Sequence, residues 1–162
     1  KLFHFINLSF TQRKDDYNAF EVYRKGKAFE AVWEAIDEKI ASGELVSVDE
    51  CFNEIAKHFS EETSNYQWVK RRKEMFQTPT NAESLIIRDL FQNKKMRECI
   101  HTKNILENRP AADVYLVAKA KALGATLVTT ETYKANSAQL PNLCEKLDVA
   151  CISYDDFMEI FS

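Results

Sequence analysis

Two hydrophobic rhythms alternate along the 162-residue chain, and together they predict a succession of strands and helices. Leu2-Phe3-His4-Phe5-Ile6 is apolar with one polar interruption, the pattern of a strand covered on both faces, and it predicts a central first strand. A polar, charged loop follows over Thr11 to Asp16. From Ala28 onward, Phe29, Val32, Trp33, Ile36 and Ile40 fall on one helical face that ends at Gly43, with Trp33 read as a core residue. Leu45-Val46-Ser47 predicts a short strand. Ser47-Val48-Asp49-Glu50 has the Ser-x-x-Glu form of a capping box and predicts a helix starting at Ser47, with Cys51, Phe52, Ile55 and Phe59 as its apolar stripe. After a polar break at 60–64 come a helix over Tyr66 to Arg72 and a short edge strand at Met75-Phe76-Gln77. Thr80-Asn81-Ala82-Glu83 is a second capping box, opening a helix faced by Leu85, Ile86, Leu90 and Phe91. Asn93 to Ile105 reads as a more basic helix, in which His101 has no visible ligand partner and is read as structural or exposed.

The stretch from Ala111 to Glu131 holds one helix and one strand. Pro110 precedes it, Leu116, Val117, Ala120 and Leu123 recur at helical spacing, and Gly124 is placed to cap the helix before the strand at Ala125 to Thr130. A helix of about 12 residues runs ~18 Å and five strand residues return ~17 Å, so the start of one and the end of the other meet at the same edge. Asp113 thereby comes beside Glu131. A polar loop from Thr132 to Gln139, a helix over Pro141 to Leu147, a strand over Val149 to Ile152 and a last helix capped by Ser153 and running through Phe161 complete the chain. The alternation predicts an α/β fold, a three-layer α/β/α sandwich with a mainly parallel sheet, in a single domain over residues 1–162.

In such a sheet, ligands bind outside the carboxyl ends of the strands. Asp113 and Glu131 at that edge form an oxygen donor pair of the kind Mg²⁺ or Mn²⁺ prefers. The simpler alternative is that Asp113 favours a helix N-terminus and Glu131 is a solvated loop residue. Glu50 is accounted for by its capping box and Asp49 by the helix dipole, but Glu54 has neither role. It lies more than a turn inside a helix that starts at the same edge, within reach of that edge for a long side chain.

With 22 Lys and Arg against 25 Asp and Glu, the net charge of −3 shows no global basic field. Lys70-Arg71-Arg72-Lys73 is the densest basic run, either a solvated face or a phosphate-tracking patch, and Lys134 is the only basic residue of the loop after Glu131. Cys51, Cys99, Cys144 and Cys151 show no Cys-x-x-Cys pair and no zinc spacing, so they are read as buried thiols of a reducing cytosol. No apolar run approaches the ~20 residues of a membrane span and no signal peptide is visible, so the expected location is cytoplasmic. A receiver-type or nucleotide-binding domain fits poorly, because no Gly-rich loop follows a strand and Asp15-Asp16 lies well beyond the end of strand one.

The layout resembles the PIN-domain nucleases, and over nearly the whole chain a PIN-like branch labelled a domain of unknown function. The matching stretches are 45–50, Ala112-Asp113 through Ala120, Gly124 through Glu131, Pro141-Asn142-Leu143-Cys144 and Cys151-Ile152-Ser153. The resemblance implies a Mg²⁺- or Mn²⁺-dependent endoribonuclease, commonly a VapC-like toxin of a toxin-antitoxin pair, so that an RNA substrate, an antitoxin protein and a second copy of the chain are the expected partners. It implies an acidic cluster in which Glu54, Asp113 and Glu131 occupy three positions, and Ser9 the small polar position two places after the first acid. That first acid is replaced by Asn7, which lends a neutral oxygen but no charge. The chain then reads as an inactivated or degenerate copy, or as a catalytically silent module that binds RNA or a protein. The Pro and aromatic residue usual after the third acid are Val114 and Tyr115, a change expected to affect packing.

Overall fold

A computed structural model describes residues 4–6, 30–94, 96–97, 112–137 and 139–160. The fold is mixed α/β. In chain order the described elements are β1 (His4–Ile6), α1 (Glu30–Ala41), β2 (Leu45–Val48), α2 (Asp49–His58), α3 (Ser64–Arg71), a 3₁₀ turn (Lys73–Met75) and β3 (Phe76–Gln77). They continue with α4 (Asn81–Gln92), α5 (Ala112–Leu123), β4 (Thr126–Thr129), α6 (Leu140–Leu147), β5 (Cys151–Ser153) and α7 (Tyr154–Glu159). The strands form one sheet in the order β3-β2-β1-β4-β5. Every pairing is parallel: His4 aligns with Leu45 and with Thr126, Ser47 with Phe76, and Leu127 with Cys151. β1 is the central strand, as its apolar run predicts. The strand order steps outward from β1 in one direction and resumes on its other side with β4, which makes the β1/β4 boundary the topological switch point.

Tight helix ends bring the chain back into the sheet. The backbone is left-handed at Gly43, Gly124 and Asp148. At each the residue after the turn reaches back five positions to close a Schellman motif: Glu44 N–H to Lys39 O at 2.9 Å, Ala125 N–H to Ala120 O at 2.9 Å, and Val149 N–H to Cys144 O at 2.9 Å. The strands can therefore start within a few residues of the helices that precede them. The Gly43 and Gly124 caps are the ones the sequence marks.

Ser47 departs from expectation. It is the third residue of β2, completely buried, and α2 begins at Asp49 behind Val48, which makes no side-chain cap. Both flanks of β2 are paired, to β1 and to β3, so its backbone groups are committed to the sheet and not to a helix start. The Ser47 hydroxyl bonds the Cys51 thiol instead. The Thr80 box does form: Thr80 Oγ1 accepts the Glu83 N–H and Glu83 Oε2 accepts the Thr80 N–H, both at 3.3 Å. Ser153 caps α7 in the same reciprocal way with Asp156. Asn93 Oδ1 accepts the Met96 N–H at 3.2 Å, opening the next helical turn. The rest of that predicted helix, with Cys99, His101 and Ile105, lies outside the described residues, as do Leu2, Phe3, the Thr11 to Asp16 loop, Ala28, Phe29, Pro110 and Phe161.

α5 is the most enclosed of the described helices. Ala112, Val114, Leu116, Val117, Ala118, Lys119 and Ala120 are all buried, which no single stripe can produce. A helix apolar around its circumference is one that is packed on all sides. The predicted stripe is wrong about Leu123, which is 45% exposed at the helix end. It also omits Lys119, whose side chain is 1% exposed and whose ammonium donates to Glu83 Oε1 at 3.0 Å and Gln77 Oε1 at 3.3 Å. Trp33 packs edge-on against Trp68 with ring centroids 5.7 Å apart, part of the core as expected.

Lys119→Met should cost ~3–5 kcal/mol, because it strands the Glu83 carboxylate without its cation. Combining it with Glu83→Gln, which keeps the capping geometry without the charge, should restore most of the loss. Urea unfolding of the three proteins measures this, and a single-variant cost below ~1 kcal/mol would show that water reaches the pair.

Candidate functional site

A parallel sheet has one edge where all strands end, and the chain places its described predicted acids, Glu54, Asp113 and Glu131, around that edge by three independent routes. Asn7 follows directly on β1, though it and Ser9 lie outside the described residues. Glu54 is on α2, which leaves the end of β2 without a loop. Because α2 begins at Asp49, Glu54 stands ~8 Å along its axis, nearer the edge than a start at Ser47 would put it. Asp113 is in the first turn of α5, and the Gly124 turn that sends β4 back toward the carboxyl edge fixes that end of α5 there. Glu131 comes two residues after β4 ends.

Electrostatics ties these acids to one locality. Burial pushes the Cys51 thiol well above its ordinary value, and the negative charge of Glu54 is the next cause, opposed by the Ser47 hydroxyl bond and reinforced by Asp113 and Glu50. A thiol on α2 thus feels carboxylates from its own helix and from α5. Cys144 on α6 also feels Asp113, and Cys151 on β5 feels Glu131. Glu54 is buried, while Asp113 and Glu131 are half-buried. Glu131 is tied down: its Oε2 accepts the Leu140 N–H at the start of α6 at 2.7 Å, and its own N–H donates to Thr129 Oγ1 at 3.1 Å. It is no free loop residue, since the helix dipole of α6 already holds part of its charge.

A neighbouring acid pair escaped the sequence reading. Asp49 and Glu50 sit side by side in the first turn of α2, where Asp49 Oδ1 and Glu50 Oε2 are buried without a hydrogen-bond donor. Two ionised carboxylates have only acceptors to offer each other, so one must keep its proton to bond the other. Burial, then the bond to Asp49, raises Glu50 from 4.5 to about 7. The Tyr115 hydroxyl is raised by burial and by the charges of Glu50 and Asp49, so this residue faces acids as well as packing. The failed capping box at Ser47 is what concealed Glu50: once the helix starts at Asp49, the Glu50 carboxyl no longer closes a box with Ser47 and takes its own backbone N–H instead.

The basic residues divide. Arg72 is withdrawn from any phosphate role: Nε donates to Asp37 Oδ1 at 2.5 Å, the second guanidinium nitrogen bonds Asp37 Oδ2, and the plane lies 4.3 Å from the Trp68 ring. Lys70, Arg71 and Lys73 are exposed, with Lys70 over Tyr66 and Lys73 over Phe52. The run leads into the amino end of β3, two strands away from β1, and not into the carboxyl edge. Lys134 is exposed in the loop that follows Glu131. Its backbone is held by buried Asn142, whose amide donates to Lys134 O at 2.7 Å and accepts the Lys134 N–H at 3.4 Å. Asn142 was legible only as part of the family resemblance. Its role in fixing the site loop needs the fold.

The oxygen donors around the edge suit a hard divalent cation by chemistry. Among the described residues, no three acid, thiol or imidazole side chains stand close enough together to hold an ion. Glu54, Asp113 and Glu131 alone therefore do not make a closed cage. Among these same residues, no helix is long and apolar enough to cross a membrane.

The family profile described as a domain of unknown function, DUF4411, matches residues 11–160, and the chain belongs to that family. No curated protein and no solved structure matches it.

The raised Glu50 carboxyl has a definite pH signature. Between about pH 4.5 and 7 the folded state keeps a proton that the unfolded state has lost, so stability falls as pH rises through that window. Glu50→Gln should remove this decline and stabilise the protein above pH 7 relative to the parent. Thermal melts from pH 4.5 to 8 check it, with parallel curves for the two proteins as the contrary outcome.

Proposed function

We propose that this DUF4411 chain is a PIN-like, Mg²⁺- or Mn²⁺-dependent endoribonuclease of three-layer α/β/α form, a cytoplasmic toxin of a toxin-antitoxin pair, inactivated at Asn7. The observation that carries the reading is the sharing of one electrostatic neighbourhood by Glu54 and Asp113, from separate helices, at the carboxyl edge beside the switch point. Glu54, Asp113 and Glu131 would hold the ion, with Asn7 contributing its amide oxygen. A bound cation supplies there an activated water and neutralises charge growing on a phosphodiester. The chain's own residues do the rest. The α6 N-terminus orients Glu131, the Ser47-Cys51 contact packs α2 below Glu54, and Lys134 on its Asn142-braced loop stands ready for a phosphate. Lys70, Arg71 and Lys73 would extend that contact along a longer RNA, and an antitoxin or a second copy of the chain would cover the same edge.

The second reading is a catalytically silent PIN-like module that binds RNA or protein. It is favoured by the amide at position 7 and by the lack of a closed three-ligand group among the described residues.

Asn7→Asp separates the two. On the nuclease reading the variant gains Mn²⁺-dependent RNA cleavage, and its Tm rises with Mn²⁺ more than the parent's does by linkage. Additional replacement of Asp113 by Asn abolishes both gains. Equal metal responses and no cleavage from the restored variant would leave the silent-binder reading in place. RNA binding by either form should weaken steeply with salt.

A further inference from the structure

We propose that Cys144 and Cys151 form a peroxide-sensitive dithiol, a redox modification site that closes to a reversible disulfide between α6 and β5. The two thiols are seven residues apart, and the left-handed turn at Asp148 folds the chain so that they meet. Val149 N–H closes the Schellman bond onto the carbonyl of Cys144 itself, and β5 begins two residues later. Both cysteines are free, α6 packs against β5, and each thiol is the leading influence on the protonation of the other, through a side-chain hydrogen bond. Cys144 is completely buried and Cys151 is half-buried, so an oxidant meets Cys151 first.

The hydrogen bond divides the labour. Cys144 donates, and this bond, then burial, holds its proton on. Cys151 accepts, and the same bond favours its thiolate against the opposing effects of burial and of Glu131. The Cys151 thiolate attacks one oxygen of hydrogen peroxide, the O–O bond breaks, and the departing hydroxide takes up a proton to become water. The Cys144 sulfur then attacks the resulting sulfenic acid, forming the S–S bond and releasing its oxygen, with the protons needed, as a second water. Two thiols lose two hydrogens and two electrons, and one peroxide is reduced to two waters. Closure brings the two sulfurs to a bond of roughly 2.05 Å.

The position gives the bond a mechanical consequence. Cys144 is one turn beyond Leu140, the residue whose N–H holds Glu131, so drawing α6 toward β5 acts on the mounting of that carboxylate. Formation of the disulfide does not depend on the nuclease reading, and its test uses no activity.

Trypsin cuts after Lys134 and Lys146, so residues 135–146 and 147–162 carry Cys144 and Cys151 on separate peptides. The folded protein is treated with hydrogen peroxide, its remaining thiols are alkylated in denaturant, and it is digested without reductant. The expected result is a single cross-linked species of these two peptides that dithiothreitol separates. Cys144→Ser should instead leave Cys151 as a sulfenic acid trapped by dimedone, and Cys151→Ser should leave Cys144 unoxidised at the same dose. Linkage of either cysteine to Cys51 or Cys99 in preference, overoxidation of Cys151 with no cross-link, or cross-linking that is equally fast in urea would each overturn the proposal.

Discussion

An ammonium group with almost no contact with water is the constraint to which much of this fold answers. Lys119 lies in the middle of α5, where every neighbouring position is apolar, and its charge is tolerable only because Glu83 and Gln77 reach it. Those partners come from α4 and from the edge strand β3, so one charge fixes how three elements meet. Glu83 must serve two masters, since one carboxylate oxygen takes the ammonium and the other closes the cap of α4. The helix start is thereby locked to the core, and a four-residue capping motif becomes a tertiary device. Such a pair need not add net stability over an apolar one; what it adds is intolerance of any other arrangement.

A similar economy governs the acids at the carboxyl edge. Carboxylates crowded together need a cation, a proton or a neutral substitute to relieve their repulsion. Asp49 and Glu50 take the proton, retained by Glu50. Glu131 takes the partial positive charge of a helix start. Position 7, where the family resemblance wants a further acid, carries an amide. Among the described acids the same electrostatic problem is met by two different means within one side of the sheet.

How much of this was legible depended on whether the signal was local. The parallel sheet, the central first strand, the caps at Gly43, Gly124, Thr80 and Ser153, and the return of α5 into β4 are each encoded within a few adjacent residues, and they are found as read. Ser47 failed because a local motif competed with strand pairing on both sides, and the pairing partners lie far along the chain. Lys119 was invisible because a lysine among alanines looks like a solvent position until Glu83 and Gln77 are brought beside it. Leu123 erred the other way, an apolar residue that keeps the helical period but lies at its capped, exposed end. Arg72 counted as one of four like charges, and only the fold shows Asp37 and Trp68 enclosing it. The cysteines at 144 and 151 match no short spacing motif because a helix end and a turn separate them.

The placement of β1 also sets a timetable for the molecule's making. Its partners on either flank are Leu45 and Thr126, so β1 waits for its second neighbour until β4 has been made. At ~5–20 residues per second, on the order of ten seconds of translation pass between the emergence of β1 and that of β4. Throughout that interval an apolar strand has at least one flank of unsatisfied backbone groups open to any other chain, and closing so long a loop makes the final docking slow. The nascent chain is therefore most exposed to misassembly, and most open to capture by a partner or a chaperone, before β4 has been made.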